Sequence, residues 1–333
     1  MSTLLPCYYH PTTVCFVDDN YSFLRSLGLD LPDDWCFTSY LHPEEALEAV
    51  NQPEPLPPLV DRCFSMDASS PNQPVIHLDL AALEREINLV QRFQRVSVLL
   101  VDFAMPTMDG LEFCEQVQNK RIKKALLTGV ADEKTAVAAF NQGIIDRYIP
   151  KAGLAAMNSV IPHVEELKRE YFEQYSRRLS SNLALNPPAF MMEPAIEAYF
   201  RALIASAHIV EYYLAGDPYG YLLLRADGSM LRLVVLSQQE LNQQVQLAQQ
   251  FGAPADLVAK MHAGEMLGYF YEHPGDYLGH EQYPWAEMLL DAQRIDGAEP
   301  WYVGLAHSPP ADIDFDPAKS SYQRFLEIDR HIV

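Results

Sequence analysis

From residue 13 to residue 151, short apolar runs alternate with stretches of helical periodicity, and most of the runs stop on a polar or charged residue. "TVCFVDDN" (13–20) reads as a buried strand ending in Asp18 and Asp19, and "YSFLRSLGL" as a short helix behind it. "WCFTSY" (35–40) reads as a second strand. "HPEEALEAV" (42–50) predicts a helix with proline in its first turn, where the missing N–H has no intrahelical partner to lose. "SVLLVDFAM" (97–105) predicts a strand closing on Asp102, followed by a helix in "LEFCEQVQN". "KKALLTG" (123–129) predicts a strand closing on Thr128. Residues 132–143 read as a helix with an acidic first turn and a closing glycine, and "DRYIPK" (146–151) as a last strand closing on Lys151. This alternation predicts a parallel sheet flanked by helices.

The pattern changes beyond residue 155. Residues 158–185 read as one long polar helix with an apolar stripe at Val160, Val164, Leu167, Tyr171 and Leu179. We expect residues 156–186 to act as a linker helix that pairs with its copy in a homodimer or packs on a second domain. "NPP" (186–188) then marks a boundary, and residues 187–333 read as an α+β domain. Its expected elements are a helix over 193–215, a hairpin over 219–237 around Asp227-Gly228, and a capping box of Ser237 and Glu240. Further helices are expected over 254–270 and from Asp316 onward, with a strand over 301–308. Such a mixture is compatible with a small-molecule sensing module of the PAS type, by analogy of fold.

Composition narrows the function classes. No apolar run reaches the roughly 18 residues of a membrane span, and "MSTLLPCYYHPTTV" has no basic, then apolar, secretion pattern, so a cytoplasmic protein is expected. Cys7, Cys15, Cys36, Cys63 and Cys114 form no CxxC pair, which fits a reducing compartment. A net charge of −21 opposes attraction to phosphate backbones and to anionic membranes. There is no helix-turn-helix, P-loop, GGDEF, EAL or HD-GYP block.

In an open parallel sheet, ligands bind outside the carboxyl ends of the strands. Asp18, Asp19, Asp102, Thr128 and Lys151 all fall at such ends. Clustered carboxylates call for a divalent counter-charge, and an all-oxygen donor set favours a hard ion such as Mg2+. A threonine hydroxyl and a lysine ammonium suit a phosphoryl oxygen. The combination points to phosphoryl transfer onto Asp102.

At these residues the chain resembles the receiver domain of two-component response regulators, over about residues 10–155. The matching pieces are "FVDDN", "VDFAMPTMDG", the "LLTG" threonine and the "YIPK" lysine, in that order. The resemblance implies a doubly wound five-stranded sheet, with Asp102 accepting the phosphoryl group from a histidine kinase or phosphotransfer protein. It implies that Asp19, Asp102 and the backbone carbonyl of Ala104 hold Mg2+ directly and Asp18 through water. Thr128 and Lys151 would contact the phosphoryl group, and Tyr148 would be the switching aromatic. Asp19 and Asp102 are 83 residues apart, about twice the family's interval. The excess is an insertion over about 52–95. It comprises a proline-rich surface excursion and a helix with Leu80, Leu83, Ile87, Val90 and Gln94 on one face, with Asp79 as N-cap. It serves as a partner contact or is a tolerated loop.

Two features of the second half bear on output. His262, Glu265, His273, Asp276, His280 and Glu281 are metal-ligand types, but their spacing matches no metal motif. Tyr212, Tyr213, Tyr219, Tyr221, Tyr269, Phe270 and Tyr271 would either line a planar-ligand pocket or pack the core. Residues 187–333 carry a charge of about −12 (20 acidic, 8 basic). The expected output is therefore a downstream protein partner or a small-molecule ligand, ahead of an enzymatic output or direct DNA binding.

Overall fold

Residues 5–54, 57, 59–67, 75–129, 133–151, 156–183, 188–216, 218–269, 285–307, 313 and 315–329 are described by a computed structural model of the chain. Fourteen strands form among them. They are β1 (Tyr8–Tyr9), β2 (Thr13–Val17), β3 (Cys36–Tyr40), β4 (Phe64–Asp67), β5 (Val75–Leu78), β6 (Val96–Asp102), β7 (Lys123–Thr128) and β8 (Arg147–Pro150), followed by β9 (Ile209–Ala215), β10 (Gly220–Arg225), β11 (Met230–Ser237), β12 (Met266–Gly268), β13 (Leu289–Asp296) and β14 (Pro300–Ala306).

Five strands in the order β3-β2-β6-β7-β8 make a sheet that is parallel throughout. Successive side chains on a strand point to opposite faces, and both faces are covered. Cys15, Val17, Leu99, Val101 and Leu126 pack with Ala46, Val50, Phe113 and Ala139 from the helices Pro43–Val50, Gly110–Gln116 and Glu133–Asn141. Val14, Phe16, Val98, Leu100, Ala125 and Leu127 face the other way. They meet Leu24 and Leu27 of helix Tyr21–Asp30 and Val160, Val164 and Leu167 of helix Ala156–Leu183. A strand buried on both faces reads as a continuous apolar run, which is why these strands were legible. The sheet is the expected doubly wound one.

The helix Ala156–Leu183 differs from its reading as a linker. Its first half closes the last βα unit of the sheet, covering with helix Tyr21–Asp30 the apolar face that includes Leu127 and Ile149. Arg147 on β8 pins it through Glu166 at 2.5 Å and Glu170 at 3.1 Å. Val160, Val164, Leu167 and Tyr171 are buried in that packing. The stripe, read as pairing with its copy or packing on a second domain, is already buried up to Tyr171, and the Leu179 side chain lies outside the described residues.

The second sheet is antiparallel, in the order β1-β9-β10-β11-β14-β13-β12. Phe200 of helix Pro194–Ser206 packs its ring at a tilt on Tyr221 of β10, centroids 4.4 Å apart, on one face. Leu241 of helix Gln238–Gln250 packs with Val234, Leu236 and Tyr302 on the other. The hairpin turns at Gly228 (φ +83°), and the Ser237–Glu240 capping box forms as read. Beside this sheet, two helices end well before the residues read for them. His208, at φ +54°, stops the first, and "IVEYYLA" becomes β9. Gly264, at φ +71°, ends helix Ala255–His262 ahead of β12.

The chain divides into two interleaved compact units. His10–Pro58, Leu89–Arg178 and Tyr322–Val333 form the parallel-sheet unit. Met1–Tyr9, Leu59–Asn88 and Leu179–Ser321 form the antiparallel one. Most of the insertion thus counts with the second unit, where it adds the hairpin β4–β5 and the short helix Leu80–Arg85, capped by Asp79 as read. The single helix read from Leu80 to Gln94 does not form: a 3-10 turn over Glu86–Asn88 and a separate short helix Gln91–Gln94 follow Arg85. No helix of the described residues is long and apolar enough to cross a membrane.

Candidate functional site

The sheet register assembles the site. Val17 of β2 lies opposite Val101 of β6, so the residues that follow them, Asp18 and Asp102, emerge side by side. Asp18, Asp19 and Asp102 each place a carboxylate oxygen within 4.8 Å of the others. Lys151 arrives from the end of β8. Its Nζ donates to Asp18 Oδ2 at 2.6 Å and sits 2.9 Å from Asp102 Oδ1. Its backbone N–H donates to the Thr128 carbonyl at 2.7 Å, which ties the ends of β7 and β8 together. Thr128 is buried there, one residue past Leu127, the register partner of Asp102.

Asp18 is 1% exposed and Asp102 8% exposed, whereas Asp19 faces solvent. Burial pushes the Asp18 carboxyl above its ordinary value, against the opposing pull of Lys151 and the Asn20 N–H. Burial also disfavours the Lys151 charge, but its bonds to Asp18 and Asp102 outweigh that and raise the ammonium above its ordinary value. Like charges about 4 Å apart repel by roughly 4 kcal/mol at an effective dielectric of about 20. One ammonium among three carboxylates leaves the cluster net negative. An all-oxygen, net-negative set of this kind fits a hard divalent cation such as Mg2+.

The remaining expected residues lie on the same strands or just beyond their ends. Tyr148 is half-buried on β8, opposite Leu126, and packs on the same core layer. Ala104 is exposed two residues beyond Asp102. The "MDG" turn has its own reason. The Gly110 N–H donates to the Phe103 carbonyl at 2.9 Å, and a Cβ on Gly110 would fall 2.2 Å from the Asp102 carbonyl oxygen. Only glycine lets the helix begin this close to Asp102, and Asp109 caps that helix.

Comparison with known proteins identifies the fold that carries this cluster. The family model of the response regulator receiver domain matches residues 74–157. The solved structure of the Legionella pneumophila response regulator LqsR matches with a TM-score of 0.79 at 31% identity, covering 97% of this chain and 95% of that one. The chain belongs to the response regulators. Among curated proteins, the DNA-binding transcriptional regulators NtrC of Salmonella typhimurium and of Escherichia coli K12 are each 32% identical over 111 residues. That is 32% of this chain, which spans 22% of the length of these relatives. The family-model match begins inside the insertion, so Asp18 and Asp19 lie outside it although they share the site with Asp102.

Three residues of the response regulator's site escaped the sequence reading. Asn20 caps the helix behind β2 and donates its own N–H to Asp18 Oδ1 at 2.9 Å. Phe23 faces Lys151. Gly110 stands in the block "VDFAMPTMDG", read with no role of its own. Of these, Asn20 carried a signal, since asparagine ahead of an apolar-periodic stretch is a common N-cap.

In the second unit, His262 and Glu265 are exposed, and the other four members of the histidine and acid cluster lie outside the described residues. Among the described residues, Asp18, Asp19 and Asp102 form the metal-competent group. Tyr213, Tyr221 and Tyr269 are buried in packing and Tyr219 is exposed, while Phe270 and Tyr271 lie outside the described residues.

Proposed function

We propose that this response regulator is switched by phosphorylation of Asp102, with a histidine kinase or phosphotransfer protein as donor. The observation that carries the proposal is Lys151 bridging Asp18 and Asp102 beside Asp19. In the proposed reaction an Asp102 carboxylate oxygen gives an electron pair to phosphorus. The phosphorus–nitrogen bond of the donor phosphohistidine breaks, its electron pair stays on the imidazole, and the imidazole takes a proton from water. Lys151 then exchanges a carboxylate contact for a phosphoryl oxygen, and the Thr128 hydroxyl donates to another. Asp19, Asp102 and the Ala104 carbonyl would hold Mg2+, with Asp18 acting through water. Bound there, the ion would neutralise charge on the transferring group.

The switch follows from local electrostatics. A phosphoryl group adds charge at the end of β6, draws Thr128 toward it and frees room for Tyr148 to turn inward. The acidic second half supports an output through a protein partner or small ligand rather than through a phosphate backbone. Radiolabelled acetyl phosphate tests the chemistry. The account expects Mg2+-dependent label that hydroxylamine releases as an acyl phosphate. Label that survives hydroxylamine would overturn it.

The lifetime of the phosphoryl group is a separate expectation. Ala104, and Val130 in the sequence, offer no polar side chain to orient an attacking water. Autodephosphorylation should be slow. A phosphoprotein that decays within seconds after removal of donor would contradict this.

A further inference from the structure

We propose that Phe23 is the positioning residue for Lys151, a wall that holds the ammonium at Asp18 and Asp102 without consuming the hydrogen bonds it needs for a phosphoryl oxygen. The Lys151 Nζ lies 4.6 Å from the centroid of the Phe23 ring, well inside the range over which an aromatic face attracts a cation. Lysine carries its charge on a flexible four-carbon stem with three rotatable donors. Two of those donors have partners in Asp18 Oδ2 and Asp102 Oδ1. The side chain is 26% exposed, so its head has solvent into which it can swing. A carboxylate on that side would hold the ammonium but compete with the incoming group. The ring attracts the same charge through its quadrupole and does not compete as an anion.

Phe23 is suited to the task because it is itself held. Its backbone N–H donates to Asn20 Oδ1 at 3.1 Å, and the Asn20 N–H donates to Asp18 Oδ1 at 2.9 Å. The ring packs on the core layer that contains Val14, Phe16 and Leu24. The short stretch "DDNYSF" (18–23) therefore supplies two acids, the helix cap and the wall. The charged head of Lys151 is clamped from two directions, by oxygens and by a ring.

This inference rests on the reading of Asp102 as phosphoacceptor for its effect on rate, but the contact itself does not. The test compares Phe23→Leu, which keeps apolar bulk without a π face, with Phe23→Tyr, which keeps the face. With acetyl phosphate and Mg2+, Phe23→Leu should take up the phosphoryl group about three- to thirty-fold more slowly, and Phe23→Tyr should stay near wild type. Calorimetric Mg2+ affinity should be unchanged in both, an outcome that a collapsed site would not give. If circular dichroism shows Phe23→Leu to be unfolded, Phe23→Met replaces it.

A readout independent of phosphorylation comes from NMR of the metal-free protein. The Lys151 ε-methylene protons should be shifted upfield by the ring in wild type and Phe23→Tyr, and return to ordinary positions in Phe23→Leu. Wild-type rates in Phe23→Leu, or equal losses in Phe23→Leu and Phe23→Tyr, would overturn the proposal. If wild type takes up no phosphoryl group, the phosphorylation reading fails. The NMR shift then decides the contact alone, and an unmoved Lys151 resonance in Phe23→Leu overturns it.

Discussion

At the residue scale, the site depends on groups that carry no charge as well as on its acids. Gly110 is the sharpest case. An alanine there would press its Cβ against the Asp102 carbonyl and lie 2.8 Å from the Leu126 side chain. Gly110→Ala should cost about 1–3 kcal/mol in urea denaturation and slow phosphoryl uptake, since the strain falls on the backbone of Asp102. His10 gives a second prediction. Its ring is fully buried, edge-on to Phe172 at 5.0 Å, with Nδ1 donating to the Pro11 carbonyl at 2.9 Å. Burial holds its imidazole well below the ordinary value of 6.5. The unfolded chain thus binds a proton near pH 6 that the folded chain refuses, so stability falls as pH drops below 6.5, by up to about 1.4 kcal/mol per pH unit. Urea midpoints at pH 7 and pH 5.5 should differ more in wild type than in His10→Phe. The clustering of Asp18, Asp19, Asp102 and Lys151 was legible in sequence because each stands at the end of an apolar run. Phe23 was not, because periodicity marks which face a residue shares but not which cation its ring will meet.

At the element scale, the parallel sheet was legible nearly throughout, since strands buried on both faces have few alternatives. The two helix ends misread at His208 and Gly264 share one cause. "IVEYYLA" continues the helical period of the residues before it, and only the left-handed turn at His208 separates helix from strand. The helix Ala156–Leu183 shows the converse. Its polar composition suggested a linker paired with its copy or packed on a second domain, while its first half seals the core of the parallel sheet. Leu167→Ala should therefore destabilise the parallel-sheet unit by about 2–5 kcal/mol. A solvent-facing linker position would change stability by no more than about 0.5 kcal/mol, and a value that small would contradict the packing described here.

At the scale of the whole molecule, the two units are woven from one chain that passes between them five times. No periodicity in a single segment announces this, because it depends on which distant segments pair. The last helix belongs to the parallel-sheet unit. Tyr322 and Phe325 place their rings 5.0 and 5.2 Å from Phe93, and the Tyr322 hydroxyl donates to the Asp34 carbonyl at 2.5 Å. Phe325→Ala should cost about 3–5 kcal/mol of stability in that unit, read as a fall in urea midpoint, although the residue lies far along the chain from the sheet. The central claim is that this interleaved chain is switched at a single carboxylate. Intact-mass spectrometry after incubation with acetyl phosphate and Mg2+, beside an Asp102→Asn control, addresses it most directly. The account predicts one added phosphoryl group on the wild type and none on the control. A wild type that stays unmodified, or a control that gains the same mass, would contradict it.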